Sequence, residues 1–127
     1  MMDVEAKPKK SVEWMGDSKR RLGSFPWNAK QTLTYGIYLA ETWRRHPDAK
    51  PLKGLGVIEI PCDDGGDTFR AVYTIELDDW VYVLHCFQKK SKQGIRTPRP
   101  DIDLIRQRLK EARKLHATEN RNKARKK

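Results

Sequence analysis

Residues 80–92 read WVYVLHCFQKKSK, and the placement of this run decides the fold. Read as a strand, Trp80, Tyr82, Leu84 and Cys86 fall on one face, and Val81, Val83, His85 and Phe87 on the other. Both faces are apolar, β-branched or aromatic, which suits a central strand covered on two sides. The chemistry then changes abruptly. Gln88, Lys89, Lys90, Ser91 and Lys92 bring three cations to the point where the strand leaves the core. A rigid strand that delivers positive charge to a surface is suited to holding a polyanion.

Working outward, two further strands precede this one. Residues 57–62 form the first and 68–76 the second, separated by the turn DDGGD at 63–67 and followed by the tight turn LDD at 77–79. Short connections between consecutive strands make them antiparallel neighbours, so the three form a meander. Residues 49–55, AKPLKGL, read as a turn-like connection broken by Pro51 and Gly54. Before it, residues 27–45 form a helix with Leu33, Ile37, Ala40 and Arg44 on one stripe. Tyr35, Tyr38, Leu39 and Trp43 broaden that stripe, so the helix is expected to pack on several sides. Gly36 within it suits a close approach. A shorter helix at 19–22 has Asp17 and Ser18 as N-cap candidates, and residues 12–14 form a short strand. Downstream, 93–100 is a loop and 101–118 a helix with Ile102, Ile105, Leu109 and Ala112 on its apolar stripe. The expected organisation is a disordered segment at 1–10, one domain at 11–118 and a basic mobile tail at 119–127.

With 127 residues there is room for one core. Lys plus Arg number 27 against 17 Asp plus Glu, a formal charge of +10. That excess favours a polyanionic partner, nucleic acid ahead of an anionic membrane. No apolar run approaches the roughly 20 residues of a membrane span. The two cysteines, Cys62 and Cys86, form no CxxC, which points to a reducing cytoplasm.

Few residues suit metal or nucleophilic chemistry. Asp63, Asp64 and Asp67 miss the calcium-loop spacing and read as hairpin turn residues. His46, His85 and His116 lack zinc spacing. No Gly-x-Ser-x-Gly and no phosphate loop is present. What remains is a set of cations at sheet positions. Arg70 shares a strand face with Val72, Thr74 and Glu76, Lys50 and Lys53 precede the first strand, and Lys89, Lys90 and Lys92 follow the third. If the meander forms, these meet on one end or face of the sheet as a phosphate clamp.

KPLKGL at 50–55, GDTFRAVY at 66–73, YVLHCFQKKSK at 82–92, Thr97-Pro98 and the helix at 102–109 resemble, in order and spacing, the phage-derived HigB-like toxins of the RelE/ParE superfamily. The resemblance reaches back to WMG at 14–16 and Phe25-Pro26 and covers roughly Val12 to Leu115. It implies a RelE-like α+β fold: an antiparallel meander packed against two N-terminal helices, with a C-terminal helix. It also implies a metal-independent, ribosome-dependent endoribonuclease, without cofactor, neutralised by a helix-turn-helix antitoxin. Two other activities occur on this fold, gyrase inhibition by protein binding as in ParE relatives, and non-catalytic binding of RNA or antitoxin.

In the reaction that the resemblance implies, the ribose 2′-hydroxyl attacks the adjacent phosphorus, leaving a cyclic phosphate and a 5′-hydroxyl. The nucleophile belongs to the substrate, so DNA is excluded. By position Arg70 resembles the family's strand arginine and is assigned to the phosphate. Lys53, Lys89 and Lys90 are the further catalytic candidates. Lys50, Lys92 and Arg96 are assigned to phosphate binding. A lysine base needs neighbours that lower its pKa. His85 could titrate usefully, but its strand position between Val83 and Phe87 favours a buried structural role. The chain has no Tyr after the lysine cluster, where some relatives carry one.

Overall fold

The computed structural model describes residues 7–89 and 96–121. Five strands form one sheet in the order β1-β5-β4-β3-β2. β3 (Val57–Asp64), β4 (Asp67–Thr74) and β5 (Trp80–Lys89) are the antiparallel meander. The β3–β4 turn tightens to Gly65 and Gly66, at φ 63° and 89°, a left-handed pair that suits a two-residue hairpin. Two edge strands complete the sheet. β1 (Ser11–Trp14) pairs with β5 in parallel, and β2 (Lys50–Leu52) pairs with β3. The connection expected at 49–55 therefore contains a strand. Pro51 is tolerated because β2 lies at the edge, where a missing N–H costs no ladder bond.

Helices cover both faces. α1 (Ser18–Gly23) and α2 (Trp27–Glu41) pack on one. There Leu33, Ile37 and Ala40 meet Ile58, Ile60, Ala71, Tyr73, Val81, Val83 and Cys86. α3 (Arg99–Thr118) packs on the other, where Ile105, Leu109 and Ala112 meet Val57, Val72, Tyr82, Leu84 and Phe87. The doubly buried run at 80–87 is thus explained, but its faces differ from simple alternation. The β4–β5 register shifts between Val72 and Tyr73, since Val72 pairs with His85 and Tyr73 with Val83. Leu84 is the extra residue of a β-bulge. Beyond it the parity reverses, so Cys86 joins Val81 and Val83, while Phe87 joins Tyr82 and Leu84.

α2 ends four residues earlier than expected, and its outer side is not packed. Tyr35, Tyr38 and Trp43 are exposed. Trp43 sits just past the helix at φ 66°. Its N–H donates to Ala40 O and that of Arg44 to Leu39 O, the pairing that closes a helix through a left-handed residue, usually Gly or Asn. α3 ends the same way on Asn120, at φ 57°. A tryptophan there costs on the order of 1–2 kcal/mol more than glycine. Gly36 does serve a close approach, though to a side chain: a Cβ there would lie 2.6 Å from Ile60 Cδ1.

The described residues of both terminal segments contact the rest of the fold. Lys10 is buried and its N–H donates to Glu41 O, while Trp43 Nε1 donates to Pro8 O. Arg121 donates to Glu13 Oε1 and lies 3.9 Å from the Trp80 ring centroid. Charged segments without an apolar stripe are held here by single long-range contacts, which periodicity does not register. The rest of both segments lies outside the described residues. No helix among the described residues is long and apolar enough to cross a membrane.

Candidate functional site

The β2–β3 hairpin brings Lys50 opposite Glu59 in register, and Lys53 begins the turn beyond β2. Gly54 and Gly56 of that turn take φ 80° and 72°, a conformation that favours glycine. The register also places Glu59 on the α3 face of the sheet, beside Val72 of β4. Lys50, Lys53, Glu59, Arg96, Thr97 and Ile102 then line one open cleft of about 320 Å³. Among the described residues, three cations and one carboxylate line it.

Arg70 lies behind that carboxylate. Its Nη1 donates to Glu59 Oε1 at 3.2 Å and to Thr97 Oγ1 at 3.4 Å, and the Thr97 hydroxyl donates to Glu59 Oε2 at 2.8 Å. Glu59 and Arg70 side chains are only 4% and 8% exposed, so this is a buried ion pair. Such a pair fixes geometry more than it adds stability. Arg70 Nε is buried and has no hydrogen-bond partner among the described residues. Arg70, assigned to the phosphate by resemblance, thus lies buried with its guanidinium paired to the Glu59 carboxylate. The strand face it occupies is covered from the α3 side.

Lys89 is also buried, and its Nζ donates to Arg96 O at 2.9 Å. It ties the end of β5 to the backbone leading into α3, and so holds Arg96 and Thr97 over the cleft. Lys90 and Lys92 lie outside the described residues. Of the residues singled out in the sequence, Lys50, Lys53 and Arg96 share the cleft, while Arg70 and Lys89 support it. Glu59 was not anticipated. Its signal is a single charge inside the apolar strand run VIEI at 57–60, which calls for a buried partner.

His85 stands apart from the cleft lining. Its Nε2 and Asp101 Oδ1 are 2.7 Å apart, and Arg108 Nη1 approaches Nδ1 at 3.5 Å. The ring stacks on Phe87 at 4.9 Å. Burial lowers its pKa, against the pull of Asp101. A neutral ring donating from Nε2 to Asp101 and accepting at Nδ1 satisfies all of these contacts. Burial pushes the Cys86 thiol up to about 12, so it is no nucleophile at neutral pH.

Arg108 secures the bulge. Its Nη1 donates to Leu84 O at 3.0 Å and its Nη2 to Asp17 Oδ1 at 2.9 Å. Asp17 precedes α1 but caps it with no side-chain bond; its carboxylate also accepts from Arg21 Nε at 2.9 Å. Those bonds, Arg21 foremost, hold its pKa at about 2 instead of 3.8. A depressed carboxylate stabilises the fold above the ordinary value, and that contribution disappears as pH falls through the depressed one. Thermal midpoints are therefore expected to fall between about pH 4 and 2, with a shallower fall in Asp17→Asn. Parallel curves for the two proteins would remove Asp17 from the acid transition.

Residues 20–110 match the family described as "Phage derived protein Gp49-like". A chain of the toxin–antitoxin complex RelBE2 from Mycobacterium tuberculosis is similar at 19% identity over 65% of this chain and 94% of that one, with a TM-score of 0.41. No curated protein matches.

Proposed function

The chain belongs to the phage-derived Gp49-like family, and from that membership and the cleft geometry we propose that it is the toxin of a toxin–antitoxin pair, acting as an endonuclease on ribosome-bound messenger RNA. The carrying observation is the cleft, where Lys50, Lys53 and Arg96 surround a carboxylate held by Arg70 and Thr97. Opposite charges in one cleft are what RNA transesterification requires: one group to remove a proton and others to stabilise a phosphorane.

In this reading Glu59 accepts the proton of the ribose 2′-hydroxyl. The 2′-oxygen attacks phosphorus, the bond to the 5′-oxygen breaks, and a 2′,3′-cyclic phosphate forms. Lys50 and Arg96 bind the non-bridging oxygens, and the Lys53 ammonium gives a proton to the departing 5′-oxygen. Arg70 acts through Glu59, holding its carboxylate in place at the cleft wall. Lys89 acts through Arg96. The base is therefore a carboxylate, and no lysine need lose its proton in the resting protein. The partners in this reading are an antitoxin, the ribosome and messenger RNA, in the cytoplasm.

The test is a primer-extension map of one transcript after a brief pulse of expression, with and without translation. Discrete cuts within translated codons, lost when translation is blocked, support the reading. Growth arrest without cuts would replace it with inhibition of a protein target such as gyrase.

A further inference from the structure

The outer side of α2 carries a second surface that the cleft chemistry does not use. Among the described residues five large hydrophobic side chains are exposed, and four are aromatic: Trp27, Tyr35, Tyr38 and Trp43. All four lie on α2 or in the turn that ends it. Scattered exposed hydrophobics are ordinary, but clustered ones mark contact surfaces. Here the rings are interleaved with cations. Tyr35 stacks on Tyr38 with centroids 6.4 Å apart, and His46 meets Tyr35 edge-on at 6.1 Å. Lys9 Nζ and Arg44 Cζ lie 5.6 Å and 5.9 Å from the Tyr38 centroid. Lys7 and Lys10 lie 4.2 Å and 4.3 Å from that of Trp43.

Trp43 supplies an independent observation. It occupies a left-handed position where glycine is the relaxed choice. Backbone strain of this kind persists where the surroundings fix it, and often marks a functional contact. The strained residue holds the N-terminal arm, through Pro8 O and two lysines, and so keeps Lys9 beside Tyr38.

We propose that this face, centred on Tyr35, Tyr38 and Arg44, binds single-stranded nucleic acid, with bases stacking on the rings and phosphates against the flanking cations. Flat π-faces combined with cations recognise unpaired bases whatever their sequence. A duplex offers its phosphates but not its base faces. The surface lies on the α2 side of the sheet, whereas the cleft lies toward α3. A chain that never cuts RNA would still carry it.

The probe is a fluorescein-labelled 2′-O-methyl oligonucleotide of about 12 residues, within the usual span of such surfaces. It lacks the attacking hydroxyl, so cleavage cannot contribute. Anisotropy titrations with the full chain should show tighter binding of the single strand than of the matching duplex. Affinity should fall at least ~10-fold in Tyr35→Ala/Tyr38→Ala, persist in Tyr35→Phe/Tyr38→Phe, and weaken in Arg44→Gln. Lys50→Gln should change it less than the tyrosine pair does. Circular dichroism confirms that each variant folds. The proposal is overturned if the wild-type chain fails to bind the single strand, if the duplex binds as well, or if the alanine pair binds like wild type. Equal displacement by poly-glutamate of matching length would also overturn it, in favour of an acidic protein partner.

Discussion

Lys50→Ala and Arg96→Ala are each expected to slow RNA cleavage by about 10²–10³-fold while leaving the thermal midpoint close to that of the parent. The magnitude is that of removing one preorganised donor from a site where charge develops. Clean interpretation follows from exposure. Both side chains are at the surface and line the cleft, so their loss leaves no buried group unpaired. Surface substitutions of this kind usually stay within about 0.5 kcal/mol. Cleavage of a defined transcript in a purified translation system, measured alongside thermal unfolding, separates the two effects. If both variants cut at the parental rate, the cleft is not where phosphate binds, and the roles assigned to Lys53 and Glu59 go with it.

Arg70→Ala should behave in the opposite manner, with stability lost first. Removing the guanidinium strands Glu59, whose side chain is 4% exposed, as an uncompensated buried anion. Breaking a buried pair by one partner costs about 3–5 kcal/mol, a large share of the 5–15 kcal/mol typical of a whole domain. Replacing both members by apolar groups of similar size is often neutral. Arg70→Met/Glu59→Leu should therefore recover most of what Arg70→Ala loses in urea unfolding, while remaining unable to cleave RNA. A double variant as unstable as the single one would mean that Arg70 stabilises by packing and not through Glu59. Growth rescue by Arg70→Ala alone does not prove a catalytic role, because unfolding gives the same phenotype.

The contrast between these variants shows where the sequence was readable. Lys50 and Lys53 could be grouped with Arg70 and the lysines after the third strand because strands of recognisable pattern surround them. Whether Arg70 would meet phosphate or carboxylate could not be read from its alternation. That depends on the β3–β4 register, which sets Glu59 opposite Val72, two residues from Arg70 on the same face, and on Thr97 arriving from outside the sheet. Burial of both strand faces at 80–87 was legible in composition. The bulge at Leu84 was not, because an extra residue leaves hydrophobicity unchanged while reversing the parity of all that follows. β2 was hidden by its length and by Pro51. The exposed rings of α2 were taken for core since periodicity reports apolar character and not the presence of a covering element.

β1 has a consequence for how the molecule comes into being. Its ladder partner is β5, whose first paired residue is Trp80, and the contacts that fasten the same corner come from farther on, Asp17 to Arg108 and Glu13 to Arg121. During synthesis β1 thus waits for β5, Arg108 and Arg121 before it can be locked. Closure across such separations is slow compared with local hairpin formation. The β3–β4 hairpin can form early, but the cleft needs Arg96 and Thr97, which emerge after every strand. In a growing chain the cleft therefore stays unassembled until residues 96–102 have followed all five described strands out of the ribosome.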